Sequence, residues 1–197
     1  MDKETPLIVG IGGTMRAGST SEMALSAALG MAREMGARTQ MLSGAALLMD
    51  AYEPGTAARS EKASRLVAAL RQADGVLISS PSYHGSISGM LKNAIDYTED
   101  MRTDGRPYLD GRAVGCIVCA DGAQAMGSTL FTLRSIIHAL RGWPTPYAAA
   151  LNSATKPFGP EGEIKDESVE KQLHMVVSQV VGFAQREHRA CGLSLQH

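Results

Sequence analysis

The sequence has few cysteines, few aromatic residues and no excess of charge of either sign. Its 197 residues include three cysteines, and aromatic residues make up 5% of the chain. A disulfide-stabilised secreted domain needs cysteines in recurring pairs, so we expect reduced thiols and a cytoplasmic location. The 19 basic residues nearly cancel the 20 acidic ones, and no segment collects the basic residues into a patch. We therefore expect no surface that neutralises nucleic-acid phosphates.

Long apolar runs are also missing. No stretch contains the roughly 18 consecutive apolar residues of a membrane-spanning helix, so we expect no membrane span. The first residues are polar and lead directly into a short apolar run, without the basic region and cleavage site of a secretory signal. Hydrophobic residues make up 44% of the chain, which suits a single domain over residues 1–197 with a sizeable core.

Short apolar runs alternate with segments of helical periodicity along the chain. Runs without polar alternation, typical of strands buried on both faces, occupy residues 7–11, 76–78 and 114–119. Apolar residues at helical spacing predict helices at residues 20–35, 63–70, 130–140 and 173–184. Further strands are predicted near residues 39–42 and 143–149, and loops at residues 50–60 and 152–166. This alternation predicts an α/β fold, a doubly wound five-stranded parallel sheet with helices on both faces.

Three segments follow predicted strands and are candidates for a binding site. They are residues 12–21, 80–88 and 120–127. In an open parallel sheet, ligands bind beyond the carboxyl ends of the strands, at the point where the strand order reverses. We therefore expect these segments to form one site.

The first segment, GGTMRAGSTS, is rich in glycine and hydroxyl residues and leads into a helix. Free N–H groups and the positive end of the helix dipole favour an anion there. The guanidinium of Arg16 and the hydroxyls of Thr14, Ser19, Thr20 and Ser21 can add donors, which predicts a monophosphate cradle. Ser19 stands where a triphosphate-binding loop has lysine, and the glycines miss the dinucleotide spacing, so both of those sites are disfavoured. A loop that merely caps the helix is the alternative.

The second segment contains Pro-Ser-Tyr-His-Gly at 81–85. We expect Pro81 to stiffen the chain just after the strand and Gly85 to allow the backbone to approach a flat heterocycle, with Tyr83 as a packing wall. His84 is either an acid/base group or an ordinary loop residue. In the helix that follows, Lys92 and Asp96 have the spacing of an exposed ion pair.

The third segment, ADGAQAMG, also follows a strand and opens a helix. Asp121 and Gly122 border the same ligand, or Asp121 is simply the N-cap of the helix. Just before it, Cys116 and Cys119 form a Cys-x-x-Cys pattern inside the predicted strand. Because alternate strand residues face opposite sides, we expect two buried core thiols there.

Two of these segments resemble motifs of the NADPH-dependent FMN reductases, a flavodoxin-like family. Residues 13–21 are similar to the phosphate loop Gly-Ser-x-Arg-x-x-Ser-x-Asn of that family, with Thr14 for the serine and Ser21 for the asparagine. Residues 81–86 and 88–96 are similar to its flavin-ring loop and the following helix, and the likeness spans residues 6 to about 150. The resemblance implies that the FMN phosphate is held by Thr14, Arg16, Ser19 and Ser21. It implies that the isoalloxazine is lined by Pro81, Ser82, Tyr83, His84 and Gly85, with Asp121 and Gly122 at its border.

The activity that the resemblance implies is hydride transfer from NADPH or NADH through bound FMN to a small acceptor. The acceptor would be a quinone, an azo compound, a metal oxyanion, a flavin or oxygen. Since the flavin carries the chemistry, no side chain is required as a catalytic acid or base. Two alternatives are an FMN-dependent dehydrogenase of a specific biosynthetic intermediate and a flavodoxin-like electron carrier. The carrier is disfavoured by the net charge of −1, since carriers that dock on basic partners are usually strongly acidic.

The resemblance also implies a homodimer or homotetramer whose flavin sites lie near a subunit interface. Met90, Leu91, Ala94 and Ile95 form an apolar strip directly after the flavin loop. This strip is either part of that interface or ordinary core.

Overall fold

A computed structural model describes residues 5–56 and 58–194, with side chains up to residue 190. The strands are β1 Leu7–Gly12, β2 Arg38–Leu42, β3 Gly75–Tyr83, β4 Ser86–Ile87, β5 Ala113–Ala120, β6 Trp143–Pro144 and β7 Ala149–Asn152. The helices are α1 Thr20–Glu34, α2 Glu61–Gln72, α3 Gly89–Asp96, α4 Ala123–Ala139 and α5 Glu167–Ser194. Short 3₁₀ helices cover Gly44–Leu47, Tyr97–Met101 and Ser153–Thr155.

The strands form one parallel sheet in the order β2-β1-β3-β5, and β6 and β7 share the edge beside β5. β4 pairs antiparallel with the end of β3. The order is that of the flavodoxin-like folds, which confirms the predicted architecture of five parallel strand positions. The strand predicted at residues 143–149 is wrong in one respect, because residues 145–148 leave the ladder. There the carbonyls of Thr145 and Pro146 accept hydrogen bonds from Arg134 instead.

Helices cover both faces of the sheet. α1 and α5 pack against Ile8, Leu77 and Ile117, while α2, α3 and α4 pack on the opposite face. Alternation along β5 places Cys116 in one core and Cys119 in the other, as predicted. Burial raises the pKa of each of these thiols to about 12, so both are protonated at neutral pH. The side chain of Cys191, the third cysteine, lies outside the described residues.

The apolar strip formed by Met90, Leu91, Ala94 and Ile95 belongs to the core. Leu91, Ala94 and Ile95 are buried and pack in the same cluster as Met101, and Met90 lies against that cluster. An interface through this strip is therefore wrong. In the part of the chain that the structure describes, no helix has the length and apolar character needed to cross a membrane.

A buried arginine closes the amino edge of the sheet. Arg112, immediately before β5, is 1% exposed. Its guanidinium donates to the carbonyl oxygens of Arg71, Ala73, Tyr108 and Asp110 at 2.9–3.3 Å. Burial lowers the pKa of Arg112 to about 10, which still leaves it charged at neutral pH.

Candidate functional site

The strand order reverses between β1 and β3. The chain leaves β1 for β2 on one side of the sheet, and leaves β3 for β5 on the other side. Gly12 pairs with Ser79, and the Gly13 N–H donates to the Ser79 carbonyl at 2.9 Å. The loop after β1 is thereby held against β3 at the switch point of the sheet, where ligands bind in this class of fold.

The loop after β1 presents free donors at the start of α1. Ser19 is the N-cap residue, and its Oγ accepts from the Glu22 N–H at 3.3 Å. The N–H groups of Thr20 and Ser21 have no acceptor among residues 5–56 and 58–194. Arg16 is exposed, and its guanidinium forms no hydrogen bond or ion pair within those ranges. The loop therefore combines helix N-terminal donors with a guanidinium that the protein leaves free.

Three of the four predicted hydroxyl groups of this loop, those of Thr14, Ser19 and Ser21, are largely buried, and Thr20 is partly exposed. Thr14 is 4% exposed, and its Oγ1 accepts from the Arg16 N–H at 3.1 Å. Its own hydroxyl hydrogen therefore stays available to a ligand. Ser19 and Ser21 share a hydrogen bond between their hydroxyls at 3.3 Å. The Ser19 and Ser21 hydroxyls thus lie together, and part of the hydrogen-bonding capacity of these hydroxyls is used inside the loop.

A carboxylate already lies on this loop. Glu22, in the first turn of α1, accepts the N–H of Gly18 through Oε2 at 2.8 Å. Gly18 has φ +65°, the left-handed conformation that favours glycine and turns its N–H toward the acceptor. An oxygen anion is therefore a suitable ligand for these backbone donors. Glu22 was not among the predicted site residues, although Ser-x-x-Glu at 19–22 is a capping-box signal.

Three buried serines connect the loop, β3 and α3. The Ser79 hydroxyl donates to the Ser21 carbonyl at 2.7 Å. Ser80 Oγ accepts the N–H of Ser88 at 3.2 Å, and Ser88 in turn caps α3. A Cβ on Gly13 would lie 2.8 Å from Ser88 Oγ, so only glycine allows this approach. Two adjacent serines in an otherwise apolar strand were the sequence signal for this connection.

The second segment is a hairpin and not the single loop predicted. β3 continues through Pro81 to Tyr83, and β4 pairs back onto it. Pro81 lies within the strand, because its partner there is Cys119 of β5 and the pairing with β1 has ended at Ser79. A proline is tolerated where one side of a strand has no ladder to donate to.

The tip of this hairpin is His84-Gly85, with φ of +54° and +76°. Positive φ at both central residues is what a two-residue type I′ hairpin requires. His84 and Tyr83 are exposed, Tyr83 by 53%. The unusual conformation of His84 thus has a local structural reason.

The hairpin packs against α4. The Ser82 hydroxyl lies 2.6 Å from Thr129 Oγ1 and also donates to the Ala125 carbonyl. A Cβ on Gly85 would lie 3.1 Å from Ser128 Oγ. The Ser82 hydroxyl is therefore engaged by α4, which holds the hairpin beside β5.

Asp121 and Gly122 lie beyond β5 and are exposed. Because Cys119 pairs with Pro81, these residues stand beside the end of β3. Gly122 is the N-cap of α4, so the alternative that made Asp121 the N-cap is wrong. All three predicted segments lie at the carboxyl ends of neighbouring strands.

The structure adds a fourth segment that the sequence did not indicate. A Cβ on Gly12 would lie 2.8 Å from Ser43 Cβ, directly after β2. Farther along the chain, residues 50–56 and 58–60 are held on α3 and on the 3₁₀ helix Tyr97–Met101. Asn93 Oδ1 of α3 accepts the Tyr52 N–H at 2.8 Å. Arg59 donates to both carboxylate oxygens of Asp100 at 2.8 Å, and its guanidinium lies 4.7 Å from the centre of the Tyr52 ring. Burial, and then the charge of Asp100, raises the pKa of Tyr52.

Outside these segments, Lys92 and Asp96 form the predicted ion pair at 2.7 Å, and both are exposed. Among the described ranges there is no group of three or more His, Cys, Asp or Glu residues that could hold a metal ion.

Comparison with known proteins gives matches over the same region. A sequence model of the family described as NADPH-dependent FMN reductase matches residues 6–156. An FMN-dependent NADPH-azoreductase of Staphylococcus aureus is 28% identical over 113 residues, which are 56% of this chain and 56% of the azoreductase. The match therefore spans about half the length of that relative.

Solved structures share the fold. FerB of Paracoccus denitrificans, a flavoenzyme NAD(P)H:(acceptor) oxidoreductase, superposes with a TM-score of 0.72 at 22% identity, covering 92% of this chain and 98% of FerB. RosB with the bound intermediate 8-demethyl-8-formylriboflavin-5'-phosphate has a TM-score of 0.69 at 13% identity, covering 98% of this chain and 87% of RosB. The family's sequence model includes every segment of the carboxyl edge described above, and the chain belongs to the NADPH-dependent FMN reductase family.

Proposed function

We propose that this protein binds FMN at the carboxyl edge of its sheet and uses it to transfer hydride from NADPH or NADH to a small acceptor. The observation that carries the proposal is the loop after β1. It joins two free N–H groups at the start of α1 to the exposed guanidinium of Arg16. The hairpin at the end of the neighbouring strand β3 is suited to border a ring system.

The residues present fit a flavin monophosphate. The donors are backbone N–H groups, the Thr14 hydroxyl and Arg16, which together suit one phosphate group. Glu22 already supplies an anionic oxygen to the Gly18 N–H. The loop has no lysine of the kind that binds β- and γ-phosphates, so a monoester fits better than a triphosphate.

The chain's own part in the reaction is binding and orientation. FMN, when bound, supplies the chemistry of accepting a hydride and passing its electrons on. Arg16 and the first turn of α1 would hold the phosphate, while the segment 81–85 and residues 121–122 would position the ring. Tyr83 and His84 are exposed at the tip of the hairpin, which suits an open site for a flat acceptor.

The proposal is tested by titrating the protein with FMN and with riboflavin. Saturating FMN at about a hundredfold excess over Kd is expected to stabilise the fold by roughly 2.7 kcal/mol. Arg16→Ala should weaken FMN by about ten- to a hundredfold, since a charge-assisted contact is lost, and should leave riboflavin nearly unchanged. Arg65→Ala, which removes an exposed arginine on α2, is the matched control. FMN binding that does not respond to Arg16→Ala would reject the assigned phosphate site.

The activity is tested by following NADPH and NADH oxidation with quinone, azo, ferric and flavin acceptors. Reduction of bound flavin by either nucleotide is the expected result. Rapid reduction by a small metabolite, together with slow reduction by NADPH, would instead favour an FMN-dependent dehydrogenase of a biosynthetic intermediate. No reduction by either nucleotide would reject the proposed reaction.

We also propose a homodimer or homotetramer acting in the cytoplasm, with residues 1–197 as one FMN-binding domain and no nucleic-acid partner. The support for assembly is the family resemblance. The support for a reducing compartment is that Cys116 and Cys119 are free thiols on opposite faces of the sheet. Light scattering at several concentrations, with and without FMN, is expected to give a mass above that of one chain.

A further inference from the structure

We infer that the Glu22 carboxylate competes with the FMN phosphate for the loop after β1, and so weakens FMN relative to riboflavin. This inference rests on the proposed function. It gives Glu22 a role in specificity that goes beyond helix capping.

Glu22 and a bound phosphate would use the same hydrogen-bond donor, the Gly18 N–H. Glu22 Oε2 accepts the Gly18 N–H at 2.8 Å, inside the loop that carries Arg16. A backbone N–H has one hydrogen and makes one short, linear hydrogen bond. A phosphate oxygen that takes this donor must displace the carboxylate.

The negative charge of Glu22 also opposes a phosphate at this loop. Glu22 is in the first turn of α1, where the helix dipole favours one anion. Within residues 5–56 and 58–190, no lysine, arginine or histidine forms an ion pair with Glu22. No ion pair therefore offsets its negative charge at the place where a phosphate would bring further negative charge.

The hydrogen bond of Glu22 differs from that of an ordinary helix cap. In a capping box, the carboxylate returns to the N–H of the N-cap residue itself. Here the N-cap residue is Ser19, and its N–H donates to the Arg16 carbonyl at 3.3 Å. The Glu22 carboxylate reaches one residue further, to Gly18. It therefore occupies the phosphate loop and not only the end of the helix.

Glu22→Gln is the decisive variant, because an amide oxygen can still accept from Gly18 while the charge is lost. We expect its FMN Kd to fall about three- to tenfold and the FMN dissociation rate to fall with it, as removal of a like charge a few ångströms away predicts. Riboflavin, which has no phosphate, should bind with unchanged affinity. The gain in FMN affinity should shrink in about 1 M NaCl, because the Debye length there is about 3 Å and the repulsion between the two charges is screened.

Glu34→Gln is the matched control, since Glu34 is exposed on the last turn of the same helix, about 18 Å from Glu22 at 1.5 Å per residue. Its FMN affinity should equal that of the wild type. Glu22→Ala serves as a second variant, which should also tighten FMN even if loss of the cap lowers the melting temperature. Each variant is first compared with the wild type by circular dichroism.

The outcomes separate the inference from the function on which it rests. If the wild type binds FMN and Glu22→Gln binds it equally or more weakly, the inference is overturned and the proposed function stands. Thermal stabilisation by inorganic phosphate is the second readout. If neither protein binds FMN but Glu22→Gln is stabilised more by phosphate than the wild type, the proposed function fails and the competition at the loop stands. If neither FMN nor phosphate binds to either protein, both are overturned.

Discussion

Arg112 and Arg16 stand at opposite ends of the sheet and differ in how much of each guanidinium the protein engages. Arg112, at the amino edge, is 1% exposed and donates to four backbone carbonyls. Nearby, Arg106 likewise donates to the carbonyls of Ala73, Asp110 and Gly111. Arg16, at the carboxyl edge, is exposed, and its guanidinium forms no hydrogen bond or ion pair within the described ranges. One edge satisfies its cations internally, and the other leaves a cation and two N–H groups free.

The difference shows how one residue type serves stability at one end and binding at the other. A buried charge must be hydrogen-bonded within the protein, because water cannot reach it. A residue meant for an exchangeable ligand must keep its donors available.

The largest change is expected at the amino edge. Arg112→Ala removes a fully buried guanidinium and leaves the carbonyls of Arg71 and Tyr108 without their donor. We expect the free energy of unfolding to fall by about 3 kcal/mol. Urea denaturation followed by circular dichroism measures it. Arg16→Ala should change stability by less than about 0.5 kcal/mol. A loss of similar size for both variants would contradict the contrast between the two edges.

The close packing at the carboxyl edge predicts the next effect. A Cβ on Gly13 would lie 2.8 Å from Ser88 Oγ and 3.0 Å from Leu91 Cβ. Gly13→Ala should therefore destabilise the protein by about 2 kcal/mol, as overpacking does. Gly89→Ala is the control, since a Cβ on Gly89 meets nothing within 4 Å at the start of α3. That variant should be neutral or more stable by about 0.5 kcal/mol. Chemical denaturation of both variants gives the comparison.

Between the two edges the residues of β5 are buried, which predicts that the stability of the protein depends on pH in the alkaline range. The pKa of Cys116 is raised by burial from 9.0 to about 12, so the unfolded chain loses this proton first. Stability is unaffected below the unfolded pKa and falls as the pH rises from about 9 to 12, by about 1.4 kcal/mol for this thiol at about pH 10. In the Cys116→Ala variant, the decrease in stability at alkaline pH should be smaller by this amount. An identical alkaline profile for the variant and the wild type would show that the thiol is accessible.

A pair of threonines gives the smallest effects, with opposite signs. Thr98 Oγ1 is buried and has no hydrogen-bond partner among the described residues, whereas Thr129 Oγ1 lies 2.6 Å from Ser82 Oγ. Thr98→Val should be neutral or stabilise the protein by up to about 1 kcal/mol, because an unsatisfied hydroxyl is removed. Thr129→Val should destabilise it by about 1 kcal/mol, since Ser82 loses a partner. Thermal melts of the two variants should therefore shift in opposite directions.

The sequence patterns involve residues close together in the chain. They predicted correctly the elements whose formation depends on such neighbours. Buried strands and amphipathic helices were recognised from periodicity, including α5, whose valines at 176, 177, 180 and 181 are all buried. The prediction was wrong at Pro81, because a proline is compatible with a strand once one neighbour has ended. Whether the apolar strip from Met90 to Ile95 belongs to an interface or to the core was left open by the sequence, and the structure places it in the core. An apolar strip has the same periodicity whether it faces the core or a partner subunit.

The sequence by itself determined the order of the elements, the two buried faces of the sheet and a donor-rich loop before α1, because each of these depends on residues close together in the chain. Only the tertiary structure decided which strands are neighbours. It thereby brought Arg16, Tyr83 and Asp121 to the ends of adjacent strands. It also decided that the Glu22 carboxylate accepts the Gly18 N–H and that the buried Arg112 guanidinium donates to backbone carbonyls. Such contacts depend on backbone conformation and on residues distant in sequence, which composition and periodicity do not encode.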